Sequence, residues 1–182
     1  MAITAFLFIV AAQGATAPMP MPTGDELRQR IEEADAKLFW AAFEGCDADA
    51  LAQIITPEFR MLHDLGGLAI ESGAQMVDDA RENCAARGPG GENEGYKNRR
   101  QITPGTRVVR ALGDWGALEE AAHAFFEWRQ SSQSWELVGG ARYMHLWRWM
   151  PGEGQFRLDQ SYSYDHGAAL KYPLPDVDGP EE

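Results

Sequence analysis

Residues 141–164 read ARYMHLWRWMPGEGQFRLDQSYSY, and this stretch decides the fold. Successive side chains of a strand point to opposite faces. Ala141, Tyr143, His145, Trp147 and Trp149 therefore share one face, and Arg142, Met144, Leu146 and Arg148 the other. Past Pro151-Gly152-Glu153-Gly154, Phe156, Leu158, Gln160, Tyr162 and Tyr164 alternate against Arg157, Asp159, Ser161 and Ser163. The pattern predicts an antiparallel hairpin with its aromatic face turned inward. A loop over 151–154 pairs Met150 with Gln155. The same count opposes Trp147 to Leu158, His145 to Gln160 and Tyr143 to Tyr162.

Strand character extends back from this hairpin to Tyr96. Strands are predicted at about 97–102, 106–112, 116–129, 135–149 and 155–166, broken by Pro104-Gly105, Gly113-Asp114, 131–134 and 151–154. Before Tyr96 the period is helical. Leu27, Ile31, Ala34, Leu38 and Ala41 recur at helix spacing behind a capping box, Thr23-Gly24-Asp25-Glu26. That helix stops at Gly45. Asp47 caps a second helix, which Pro57 ends. Phe59 to His63 reads as a strand, 64–67 as a turn and 68–70 as a return strand. Ser72 with Gln75 opens a third helix to about Ala86. The Gly-rich loop 88–95 lacks the Lys-Ser/Thr of a phosphate cradle. Helices first and strands last predict an α+β domain over 25–166, with three N-terminal helices packed on a curved antiparallel sheet.

This order resembles the nuclear transport factor 2-like superfamily, in particular its SnoaL-like and ketosteroid isomerase-like cone-fold members. The resemblance rests on Gly45, the Asp47 cap, Ala50-Leu51, and Thr56-Pro57-Glu58-Phe59 leading into Met61 through Gly67. Arg148-Trp149 through Gly154, then Phe156-Arg157-Leu158, match the family's penultimate hairpin. It implies a cone enclosing one pocket, and it speaks to fold far more than to function. It sets His63 where ketosteroid isomerase carries its general base and His145 where that enzyme has an oxyanion-hole acid. The isomerase's first-helix Tyr falls near Leu38, so that donor is missing. Two His and a Tyr in one cone are more similar to scytalone dehydratase.

The alternation predicts a polar set of His63, Tyr143, His145, Gln160 and Tyr162, with Met61 beside it and a floor of Trp147 and Trp40. His63 is the expected base, and His145 and Tyr143 the expected donors to a developing oxyanion. Each residue alone has an ordinary structural reading as a hydrogen-bonded strand residue. Polar groups converging on an apolar floor are the usual form of a binding pocket. The orientation of His123 is open, and Glu119 and Glu120 are expected in solvent. No spacing of His and carboxylate points to a metal, and no cofactor is implied. Two functions remain: acid–base chemistry on a small apolar carbonyl compound, or a non-catalytic module binding a ligand or partner in the cell envelope.

Composition bounds these choices. Apolar residues make up 45% of the 182, which is a folding chain rather than a disordered one. The formal charge of −12 excludes a basic footprint for nucleic acid or anionic membrane. Residues 1–17 read as a signal peptide, too short for a membrane span, so the protein is expected to be exported, periplasmic or secreted. A Pro-rich leader over 18–24 and an acidic tail over 167–182 flank the domain. Cys46 and Cys84 fit no metal motif. In an exported protein they could form a disulfide, though buried free Cys is also common. Met144 and Leu146, between two Arg on the outer face, predict a homodimer through that face.

Overall fold

A computed structural model describes residues 18–169. The expected signal peptide and nearly all of the acidic tail lie outside the described residues. Three helices lead, α1 (Gly24–Phe39), α2 (Ala48–Ile54) and α3 (Gly73–Arg87). Seven strands follow or intervene: β1 (Ile55–His63), β2 (Gly67–Ile70), β3 (Asn98–Ile102), β4 (Val108–Leu112), β5 (Gly116–Arg129), β6 (Ser134–Met150) and β7 (Gln155–Gly167). They form one sheet in the order β2-β1-β7-β6-β5-β3, with β4 pairing a separate stretch of β5. No helix among the described residues is long and apolar enough to cross a membrane.

The sheet is mixed, which corrects the antiparallel expectation at one seam. β1 runs parallel to β7, while every other pair is antiparallel. Hairpin turns allow only antiparallel neighbours. β1 instead reaches β7 after α3 and the whole meander have intervened, so no turn fixes its direction.

Local signals act as expected with one exception. Asp47 accepts from Ala50 N at 2.9 Å, and Ser72 Oγ accepts from Gln75 N at 3.2 Å. Thr23 precedes α1 but its side chain makes no capping bond. Past Phe39 the chain widens into a π-helical turn, Trp40–Glu44, closed by Gly45 N–H on the Trp40 carbonyl at 2.7 Å. Gly45 has no Cβ because the Trp40 indole folds back over it; a Cβ there would lie 2.5 Å from the ring. Trp40 is accordingly 54% exposed and floors nothing, which corrects its expected role.

The core lies between the helices and the concave sheet face. Leu27, Ile31 and Leu38 of α1 and Leu51 of α2 meet Phe59, Trp147, Trp149, Phe156 and Leu158. Burying such a side chain stabilises by about 1.5–3 kcal/mol each, the main favourable contribution to the fold. Cys46 and Cys84 are joined in a disulfide, with Cα atoms 5.6 Å apart, tying the π turn to the end of α3.

Candidate functional site

Two β-bulges decide which side chains meet inside the cone. The β6–β7 hairpin starts in the expected register, with Met150 opposite Gln155 and Trp147 opposite Leu158. One residue, Asp159, is then inserted on β7. Beyond it Leu146 faces Gln160, His145 faces Ser161 and Tyr143 faces Ser163. A one-residue slip moves a strand's whole set to the other face. Ser161 and Ser163 therefore point inward. Gln160 and Tyr162, expected inside, bond each other at 2.7 Å on the outer face. The bulge is pinned: buried Asp159 accepts from Thr56 Oγ1 at 3.0 Å and pairs with Arg148 at 2.9 Å. The second bulge, at Val138 in the β5–β6 pair, sets Glu119 directly opposite His145.

A cavity of about 250 Å³ opens between α1, α3 and the sheet. Its walls are apolar, with Phe39, Phe43, Phe59 and Met61 prominent, as expected for Met61. His123, Tyr143, His145, Ser161 and Ser163 are the polar residues of its lining. Trp147 is fully buried beside it, edge-on to His145 at 5.7 Å. His63 does not join this set. It lies further along β1, stacked at 3.9 Å on His166, with Nδ1 accepting from Leu65 N. The expected meeting of His63 and His145 therefore does not occur, because β1 carries His63 past the cavity lining.

Behind the cavity wall lies a charged cluster that alternation alone did not bring out. Glu119, expected in solvent, is fully buried. Its Oε1 accepts from Tyr143 Oη at 2.8 Å and pairs with Arg107 Nε at 2.9 Å; its Oε2 accepts from Trp147 Nε1 at 2.8 Å. Tyr143 and Trp147 are the diagonal neighbours of Glu119 across the strand pair, so one carboxylate reaches both. Asp35, on the buried face of α1, accepts from Arg100 at 2.8 Å and Arg107 at 2.6 Å through Oδ2. His145 Nδ1 lies 3.7 Å from both Asp35 Oδ1 and Glu119 Oε2. Two carboxylates face two guanidinium groups, so a proton on His145 adds one net charge.

Burial pushes the Glu119 carboxyl up, but His145, Arg107 and the Tyr143 hydroxyl together hold it below its ordinary value. Burial foremost, with Glu119 and Asp35 nearby, raises the Tyr143 hydroxyl far above its ordinary value despite Arg100. That hydroxyl is already donated to Glu119, so Tyr143 is not the free oxyanion donor expected.

His123 is fixed differently. Its Nδ1 accepts from Arg100 Nε at 2.8 Å. A guanidinium only donates, so Nδ1 is the bare nitrogen and Nε2 carries the ring hydrogen. Burial, then the Arg100 charge, push its pKa down to about 2, so the ring stays neutral. Nε2 is buried without a partner.

Asp35, Glu119 and His145 bring ligand-type atoms within 4.8 Å of one another, as do His63, Asp64 and His166. The first group does not suit a cation. Arg100 and Arg107 already hold its carboxylates and would repel one.

No protein-family model matches the chain, and no curated protein matches it in sequence. Solved structures do resemble it. Aln2 from a Streptomyces species is 13% identical over 78% of this chain and 92% of its own, with a TM-score of 0.61. ActVI-ORFA from Streptomyces coelicolor is 10% identical over 77% and 98%, also at 0.61. A nuclear transport factor 2-like superfamily protein from Salmonella enterica is 14% identical over 84% and 98%, at 0.56.

Proposed function

The chain has the nuclear transport factor 2-like fold, and we propose that it is a cofactor-independent acid–base enzyme, of isomerase, dehydratase or cyclase type, acting on a small apolar carbonyl compound. One observation carries the reading: two unlike imidazoles share one apolar cavity. His123 is locked neutral with its only free hydrogen on Nε2, a fixed donor for a carbonyl oxygen. His145 turns Nδ1 to Asp35 and Glu119, so Nε2 is the nitrogen left for a ligand. A proton taken from carbon by His145 Nε2 leaves an enolate, whose oxygen His123 Nε2–H would stabilise. The carboxylates behind His145 would stabilise the imidazolium so formed. The 3.7 Å separations suit a pair that tightens when ligand is bound.

Cavity size bounds the substrate. A cavity of about 150 Å³ holds one benzene ring, so about 250 Å³ suits roughly two fused rings. The test is exchange of the α-protons of 2-tetralone in deuterium oxide, followed by proton NMR. Wild type should accelerate exchange, and His145→Gln should lower the enzymatic rate roughly 10²–10⁴-fold. Equal exchange with the variant would sink the assignment of His145. A 2-tetralone-induced rise in melting temperature without exchange would favour the binding-module reading instead.

Two further parts of the proposal concern setting. The disulfide supports export to an oxidising compartment. Met144 and Leu146, half-buried between Arg142 and Arg148 on the outer face, suit a second copy of the chain. Light scattering at micromolar concentration should give twice the 20.2 kDa chain mass, and Leu146→Glu should halve it. A monomeric wild-type mass would remove the dimer.

A further inference from the structure

We infer that Ser163, His166 and Asp64 form a nucleophile, base and orienter that cleave small apolar esters seated in the cavity. This goes beyond the proton-transfer reading and shares with it only the cavity as ligand site. Ser163 Oγ lies 3.1 Å from His166 Nε2, and His166 Nδ1 lies 2.6 Å from Asp64 Oδ1. An ionised carboxylate only accepts, so Nδ1 carries the ring hydrogen. Nε2 is then the acceptor for the Ser163 hydroxyl. A serine bonded to an imidazole that a carboxylate orients is the arrangement that activates serine, and geometry rather than chain order identifies it.

The backbone is shaped to hold the three together. Asp165 sits at φ 56, the left-handed region, which non-glycine residues adopt uncommonly. That turn folds the His166 ring back to Ser163, three residues earlier. The Asp64 backbone N–H donates to the Ser163 carbonyl at 3.0 Å, and the His166 backbone N–H donates to Asp64 Oδ2 at 3.2 Å. The His63 ring stacks on His166 and limits its rotation. Partial burial works against the Asp64 carboxylate, but the bonds and charge of His166 hold it below its ordinary range.

Ser163 alone of the three lines the cavity. It is 7% exposed, and His166 and Asp64 stand outside the lining. The bulge at Asp159 is what turns Ser163 inward. Apolar walls, with neither Arg nor Lys among the described lining residues, suit a neutral ester with a short acyl chain or one ring.

The step balances without a cofactor. Ser163 Oγ adds to the ester carbonyl carbon, and its proton passes to His166 Nε2. The carbon–oxygen bond to the alcohol breaks, and the departing alkoxide takes that proton. Water then adds to the acyl-serine, giving its proton to His166. Ser163 Oγ leaves and regains the proton, releasing a carboxylic acid.

The test uses the intact protein with two probes. A fluorophosphonate should add one phosphonyl group to wild type, mapped by peptide mass spectrometry to Ser163. Hydrolysis of p-nitrophenyl butyrate should fall roughly 10³-fold or more in Ser163→Ala. Asp64→Asn should slow both labelling and hydrolysis while its melting temperature stays near wild type. No adduct at Ser163 in wild-type protein overturns the inference, whatever the variants do. Hydrolysis that a chelator abolishes and zinc restores also overturns it, and would assign His63, Asp64 and His166 to a metal. Labelling at Ser163 without 2-tetralone exchange would remove the proton-transfer reading and leave this one standing.

Discussion

Glu119→Ala is expected to destabilise the protein by about 3–5 kcal/mol, the loss typical when one partner of a buried ion network is removed. For a chain of this length that lowers the melting temperature by roughly 6–20 °C. The cause is what stays behind. Tyr143 Oη and Trp147 Nε1 donate to the two Glu119 oxygens, and the Arg107 guanidinium lies against them with Nε 2.9 Å from Oε1. Without them, two neutral donors and a guanidinium face an empty buried site. Glu119→Gln separates charge from shape. It retains one acceptor oxygen but turns an NH2 toward a donor, so it should cost about 1–3 kcal/mol. The pH dependence has a definite sign. The folded-state Glu119 carboxyl lies below its ordinary 4.5, so its contribution is present above that value and lost as pH falls through the lowered one. Thermal melts of wild type and Glu119→Gln should therefore converge as the solution is acidified below pH 4.5. Melts that differ by a constant amount down to the acid limit would show that the charge of Glu119 is not what the network uses.

This network also marks how far the sequence could be read. Strand positions were legible because alternation and turn residues are local signals. The segments expected at 116–129 and 155–166 are observed as Gly116–Arg129 and Gln155–Gly167. Register was legible only as far as each strand ran without a bulge. Trp147 meets Leu158 as counted, but Asp159 then adds a residue, and Ser161 and Ser163 replace Gln160 and Tyr162 inside. Nothing local announces that insertion. It is held by Thr56, 103 positions away in sequence, together with Arg148. The parallel pairing of β1 is non-local in the same way. Glu119 and Asp35 did leave traces. Asp35 interrupts the stripe of Leu27, Ile31 and Leu38 on the buried face of α1. Glu119 shares its face with Ala117 and Ala121, small residues opposite Trp147 and Tyr143. An acid between two alanines that make room for large aromatics is placed to accept their polar hydrogens. His63 misled because the resemblance fixed its strand but not the point at which that strand leaves the cavity.

Breaking the disulfide should have a comparable effect through the unfolded chain. Cys46 and Cys84 are 38 residues apart. Closing a loop of that length removes unfolded-state entropy worth about 4 kcal/mol in the chain-entropy account. The double variant Cys46→Ala/Cys84→Ala should melt roughly 8–16 °C lower than wild type. Wild type under strong reductant should fall by a similar amount. The effect should extend to the cavity. The bridge anchors the π turn to α3, and Phe43 from that turn and Met76 from α3 both line the cavity. With the anchor gone, packing, the Arg87 bonds to the Phe43 carbonyl and Asn98, and the exposed Arg81–Asp49 pair are left to hold that rim. The thermal shift induced by 2-tetralone should therefore be smaller in the double variant than in wild type. Unchanged melting under reductant would mean that the helices and sheet hold this rim unaided. Lower melting with an undiminished ligand shift would mean that the bridge stabilises the domain without shaping its cavity. A loss of both ties the cavity to an oxidising compartment, since cytosolic reductants would open the bridge and loosen the wall against which a ligand must pack.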